Sequence, residues 1–236
     1  SSSVQSEAEL AEAIYNHLSN FEEQFTIEYV GNTEGLDEML TRATQKAAKR
    51  DPYIEGHLSN REVNFKFTKT KATININQTY LISAKQDAIV TANVKELISK
   101  LQATTMNDFE KIKYVNDYIV QNTSYSSETQ TSAHSAYTAL MEQKAVCQGY
   151  ALLAQKMLTE LGVESLYVVG EAGGVSHAWN LVKVNGAWYH LDSTWNDPLP
   201  DRGQGVRYQY FLTSDTQLKK DHSWIESDYP KASSEE

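Results

Sequence analysis

One cysteine occurs in the 236 residues, within Ala145-Val146-Cys147-Gln148-Gly149-Tyr150-Ala151. Apolar or small side chains follow at Tyr150, Leu153, Ala154, Met157, Leu158 and Leu161, the i, i+3, i+4, i+7 rhythm of a helix with one buried face. Gly162 stands where such a helix takes a left-handed residue to stop. The pattern therefore puts Cys147 at a helix N-terminus. Unpaired backbone N–H groups and the positive end of the macrodipole favour a thiolate there. A thiolate becomes a catalyst only with a base and a group that orients the base.

Both are found downstream. Two β-rich runs, Ser176 to Val184 and Ala187 to Asp192, flank Asn185-Gly186. Asn-Gly is the strongest short hairpin signal, because both central residues of a type I′ turn need positive φ. With the turn there, Val184 faces Ala187, and counting outward sets Trp179 opposite Asp192 and His177 opposite Thr194. Alternation puts His177, Trp179, Leu181 and Lys183 on one face with Trp188, His190, Asp192 and Thr194. His177 and Asp192 become diagonal neighbours on that face. A one-residue slip would separate them.

A thiol, a histidine and a carboxylate are the parts of a Cys-His-Asp acyl-transfer site, with Cys147, His177 and Asp192 as nucleophile, base and orienter. Such a site also needs donors for an oxyanion. The backbone N–H of Cys147 is the natural first; Gln143, Tyr137 and Trp179 are open candidates for the second. Trp179, two residues past His177, is expected to line the cleft, and Gln148 and His134 to stand near it. Cys147, His177 and His190 do not have the short paired-ligand spacing of common zinc motifs. No metal or cofactor is expected, and His190 reads as a packing residue behind the site. The remaining histidines, His17, His57 and His222, carry no signal of their own.

The elements that must position these residues form two parts. Residues 1–84 read as a small α+β accessory domain of αβαββ order: a helix over Glu7 to Leu18, a strand over Gln24 to Val30, and a helix from Leu36 that Asp51-Pro52 closes. Strands over Glu62–Lys69 and Ala72–Ile82 complete it. Residues 85–236 read as the catalytic domain. Gln86 to Leu101 is helical, and Asn107 with Glu110 is spaced as a capping box for a helix to Gln121, with Phe109, Ile112, Val115, Tyr118 and Ile119 inward. A polar loop spans Asn122 to Ser132, and Leu166 to Glu171 reads as a strand before the Gly173-Gly174 turn.

The formal charge of −10 lies across both parts without a basic patch, which argues against nucleic acid as a partner. A single cysteine excludes an internal disulfide. No stretch approaches the roughly 20 apolar residues of a membrane span. The chain opens Ser1-Ser2-Ser3, the polar start expected of a trimmed form. Oligomeric state is not legible.

The cysteine and hairpin motifs resemble the transglutaminase-like superfamily, and more narrowly a bacterial branch with a Cys-Gln-Gly-Tyr-Ala nucleophile motif. The resemblance runs from Glu110-Lys111-Ile112 and Ala136-Tyr137 through Cys147 to Ala151, His177-Ala178-Trp179-Asn180 and Trp188 to Trp195. It continues through Asp197-Pro198, Tyr210-Phe211-Leu212 and His222-Ser223-Trp224. It departs at Asn196, where the family often has an acid. The resemblance implies an α+β fold with a papain-like core, in which a cysteine-bearing helix packs on an antiparallel sheet that carries the His and Asp. It implies peptide or protein substrates, hydrolysed or cross-linked through a thioester, and a secreted or cell-surface location. The rival it leaves open is a catalytically silent binding or assembly module at the cell surface.

Overall fold

Alternating apolar residues build the first sheet. In the computed structural model, which describes residues 3–126, 131–197 and 205–234, the chain divides into two units, Ser1–Ala84 and Lys85–Glu236. The first holds α1 (Glu7–Ser19), β1 (Gln24–Val30), α2 (Leu36–Lys49), α3 (Pro52–His57), β2 (Leu58–Phe67) and β3 (Lys71–Tyr80). The strands are antiparallel in the order β1-β3-β2. Phe25, Ile27 and Tyr29 bury one face of β1, and Leu10, Ile14 and Leu18 bury one stripe of α1. The order is αβααββ, not αβαββ, because Asp51-Pro52 opens a helix instead of only closing one. The Asp51 carboxylate accepts the backbone N–H groups of Tyr53 and Ile54. Proline costs nothing at the first helical position, where its missing N–H would have no partner.

In the second unit α4 (Ala84–Ser99) leads to α5 (Asp108–Asn122), whose N-terminus carries the full Asn107–Glu110 capping box. Ile112, Val115 and Ile119 are buried on α5, but Phe109 is exposed; at the first turn its ring meets the edge of Phe211. Part of the expected polar loop is ordered as β4 (Ser124–Tyr125), which pairs in parallel with β5 (Lys144–Ala145); residues 127–130 of that loop, and Pro198, lie outside the described residues. A π-helical turn, Thr138–Glu142, precedes β5. Then come α6 (Cys147–Glu160), β6 (Ser165–Ala172), β7 (Val175–Val184), β8 (Ala187–Leu191), β9 (Phe211–Thr213), α7 (Asp215–Leu218) and β10 (His222–Trp224).

Asn185 and Gly186 adopt φ of 50° and 83°, the left-handed pair that a type I′ turn needs. The β7–β8 register is the one counted from them, from Val184↔Ala187 to Asn180↔Leu191. Pairing stops at Leu191, so His177 and Thr194 do not face each other as strand partners. The chain instead turns after Asp192, whose backbone carbonyl accepts the Asn196 N–H. The five-stranded sheet has the order β10-β6-β7-β8-β9. It brings β10, last in the chain, against β6. One face is packed by Val168, Trp179 and Leu181 with Leu218 and Ala232; α6 packs on β6 and β7.

β10 can approach β6 only because position 170 has no side chain. A Cβ on Gly170 would lie 2.2 Å from the Ser223 carbonyl oxygen and 2.9 Å from Trp179 Cη2. Gly170→Ala should therefore cost roughly 1–3 kcal/mol through overpacking, measured by urea unfolding. A variant as stable as the parent would show that β10 gives way without loss.

Candidate active site

Cys147 is the first residue of α6, and Val146 before it has extended backbone and no side-chain cap. The first-turn N–H groups at the Cys147 end are thus left without a cap from that residue. The helix can pass so close to the preceding chain because its third residue is glycine: a Cβ on Gly149 would sit 2.6 Å from Ala145 Cβ and 3.0 Å from the Ser135 carbonyl oxygen. Gly162, at φ 77°, ends the segment.

His177 is 6% exposed and Asp192 is 1% exposed. His177 Nε2 lies 2.7 Å from Asp192 Oδ2, and the Cys147 side chain is near enough to the same ring to help raise its pKa. With Nε2 engaged by the carboxylate, Nδ1 is the nitrogen left for the thiol. Burial works against the charged ring. The hydrogen bond to Asp192, the Cys147 side chain and the charges of both outweigh it, and the His177 pKa is raised to about 9. Burial likewise works against the Asp192 carboxylate, but hydrogen bonds from His177 and His222 hold its pKa below the ordinary value. Asp192 Oδ1 accepts the Trp195 N–H at 3.1 Å, which fixes the carboxylate plane.

Three polar ties lock together the segments that carry these side chains. Asn180 on β7 donates to the Ala151 carbonyl of α6 at 3.0 Å. The Tyr150 hydroxyl, also on α6, donates to Asp197 Oδ2 at 2.6 Å beyond Asp192. Asn116 of α5 accepts from Ser193 Oγ and Asn196 Nδ2, each at 3.0 Å. The amide at 196 does what a carboxylate could not: it donates to Asn116 while its oxygen accepts the Tyr210 N–H.

The other candidates divide. Trp179 is buried with its ring 5.8 Å from His177, and its indole N–H donates to His190 Nδ1 at 3.0 Å. That proton is not offered to an oxyanion. His190 Nε2 meets Asp215 at 2.6 Å, and burial foremost lowers its pKa; it is a neutral packing histidine. Gln148 is half-buried, with its carbonyl oxygen against His134 Nδ1. Tyr137 and Gln143 flank the π-helical turn, the first half-buried and the second exposed.

Two further residues stand near the site, Tyr125 with no sequence signal and His222 only as part of the His222-Ser223-Trp224 stretch of the resemblance. Tyr125 is brought opposite Ala145 by the β4–β5 pairing; burial and then the Cys147 side chain raise its pKa. His222, from β10, lies 2.7 Å from the same Asp192 oxygen that His177 uses. Among the described residues, His177, Asp192 and His222 are a group whose donor atoms could converge on a metal ion, all lying within 4.8 Å of one another. The 2.7 Å contacts from both rings to one oxygen are hydrogen-bond distances.

Residues 95–193 match the core model of the transglutaminase-like superfamily. The matched stretch contains Cys147, His177 and Asp192. Kyphoscoliosis peptidase from Mus musculus is 28% identical over 163 residues, 60% of this chain and 25% of that protein. The Homo sapiens protein of the same name is 28% identical over 152 residues, 56% of this chain and 23% of its own. The chain spans about a quarter of the length of these curated relatives. Among solved structures, one described as a TGase is similar at 16% identity with a TM-score of 0.44, covering 79% of this chain and 55% of its own.

The raised His177 pKa ties stability to pH. The contribution is fully present below the unfolded value of about 6.5 and is lost as pH rises through about 9. Asp192→Asn should destabilise the protein by about 3 kcal/mol near pH 6. In chemical unfolding followed across pH, the gap between parent and variant should close as pH rises through about 9. A gap that does not vary with pH would contradict the pairing.

Proposed function

We propose that this protein is a thiol acyl-transfer enzyme acting on amides of peptides or proteins. One observation carries the reading: a single buried imidazole is hydrogen-bonded to a carboxylate and has its pKa raised by the lone cysteine as well. The match of residues 95–193 to the transglutaminase-like core supports it. Residues 1–84 bring no candidate for this chemistry and serve as an accessory domain. A secreted or cell-surface setting with protein substrates fits the same reading. Among the described residues no helix is long and apolar enough to cross a membrane.

With its proton already held by His177, the Cys147 sulfur attacks the amide carbon, so the new C–S bond forms as the carbonyl pair moves onto oxygen. The backbone N–H of Cys147 is the first donor to that oxygen; with Trp179 engaged by His190, Tyr137 and Gln143 are the candidates for the second. His177 then gives its proton to the leaving amine as the C–N bond breaks. A thioester on Cys147 and a neutral ring remain. Water or a lysine amine next attacks the thioester, His177 takes its proton, and Cys147 leaves as the thiolate. Asp192 holds the ring by Nε2 throughout and stabilises the imidazolium.

A glutamine-donor peptide, tested with and without an added primary amine, separates the outcomes. Amine incorporation identifies a transferase, and release of ammonia or peptide alone a hydrolase. Cys147→Ala should lower either activity by roughly a thousandfold or more. Because His177 keeps its transferable proton up to about pH 9, acylation should fall on the alkaline side near that value. A folded chain that turns over no member of a peptide library, and forms no mass adduct on Cys147, would favour the binding or assembly module.

A further inference from the structure

His222 lies at the end of a row of donors and acceptors that the acyl-transfer scheme does not use. Its Nε2 is 2.7 Å from Asp192 Oδ2 and its Nδ1 is 2.6 Å from Asp221 Oδ1. The Tyr210 hydroxyl donates to the other Asp221 oxygen. Carboxylates only accept, so both ring nitrogens of His222 serve as donors, the arrangement of an imidazolium. The ring is buried at 3% exposure. Trp179, Trp195 and Tyr210 pack around it with ring centroids 5.0, 4.7 and 5.5 Å away.

We propose that His222 is a positioning residue for the Cys147–His177–Asp192 site, a cationic clamp held by Asp221 that keeps the Asp192 carboxylate ionised and aimed at His177. The inference rests on the acyl-transfer reading above. A buried carboxylate facing a single histidine would carry its charge against the full penalty of desolvation. A second donor to the same oxygen offsets that penalty, and Trp195 N–H holds the other oxygen. The ionisable groups facing His222 are Asp192 at the end of β8, His177 on β7, His190 on β8, Asp221 before β10 and Tyr210 before β9. Only Asp192 and Asp221 take its protons. Without His222, Asp192 protonates at higher pH, and His177 then loses the charge that supports its imidazolium. The loss is confined to the acid side.

The test is the rate of Cys147 alkylation by iodoacetamide from about pH 4 to 9 in the full chain, with near-UV circular dichroism as the check on folding. Compared are the parent, His222→Gln, His222→Leu and Asp221→Asn. His222→Leu should react roughly ten- to a hundredfold more slowly at about pH 5, the factor of a lost hydrogen bond to a charged group, and should converge on the parent above about pH 7. His222→Gln keeps a neutral donor and should fall between the two. Asp221→Asn should shift the profile in the same direction by less, and it keeps the test open if His222→Leu does not fold. A loss equal at every pH, or profiles that superimpose on an activated parent, would overturn the clamp alone. A parent that reacts as an ordinary thiol at every pH would overturn the acyl-transfer reading and the clamp with it.

Discussion

The carboxylate of Asp192 is the constraint on which the second unit depends. It is 1% exposed, and an isolated charge there would be shed by protonation. It stays below the ordinary carboxylate pKa because His177 and His222 both donate to it. Each donor arrives from a different element: β7, on the inner hairpin, and β10, which is held on β6 by a glycine that leaves room for the Ser223 carbonyl. The sheet order β10-β6-β7-β8-β9 is thus the topology that surrounds one acid with two imidazoles.

The nucleophile helix is coupled to that acid by bonds that do not involve the cysteine. Asn180 ties β7 to α6, and Tyr150 ties α6 to Asp197 beyond the acid. Asn116 ties α5 to the turn between them. Each tie is buried, where an unmet partner is costly. Together they set the distance between helix and hairpin more sharply than apolar packing could. The residues beside Cys147 and His177 in the motifs, Gly149, Tyr150 and Asn180, are therefore framework. Gly149 allows the close approach, and the other two fasten it.

What could be read from the sequence follows from how local each signal is. The Asn185-Gly186 turn fixes its own backbone and hence the β7–β8 register, so the His177–Asp192 pair followed from counting. The Cys147 helix was legible from its apolar period and from Gly162. Asp51-Pro52 misled because the pair that ends one helix also caps the next. The end of β8 at Leu191 was hidden because an Asp side chain and a backbone turn, not a proline or glycine, stop it. His222 could not be singled out: it lies 30 residues past Asp192, and no local pattern tells a histidine on a short strand what faces it. Tyr125 is the same case, since only the parallel β4–β5 pairing puts it near the thiol.

Held between Asp192 and Cys147, His177 should keep its charged form in the resting protein. Imidazole nitrogen NMR of the selectively labelled chain tests it most directly. The expected result is a His177 ring with both nitrogens protonated at neutral pH, titrating at about 9. A ring that is neutral at pH 7 and titrates near the free value of about 6.5 would contradict it.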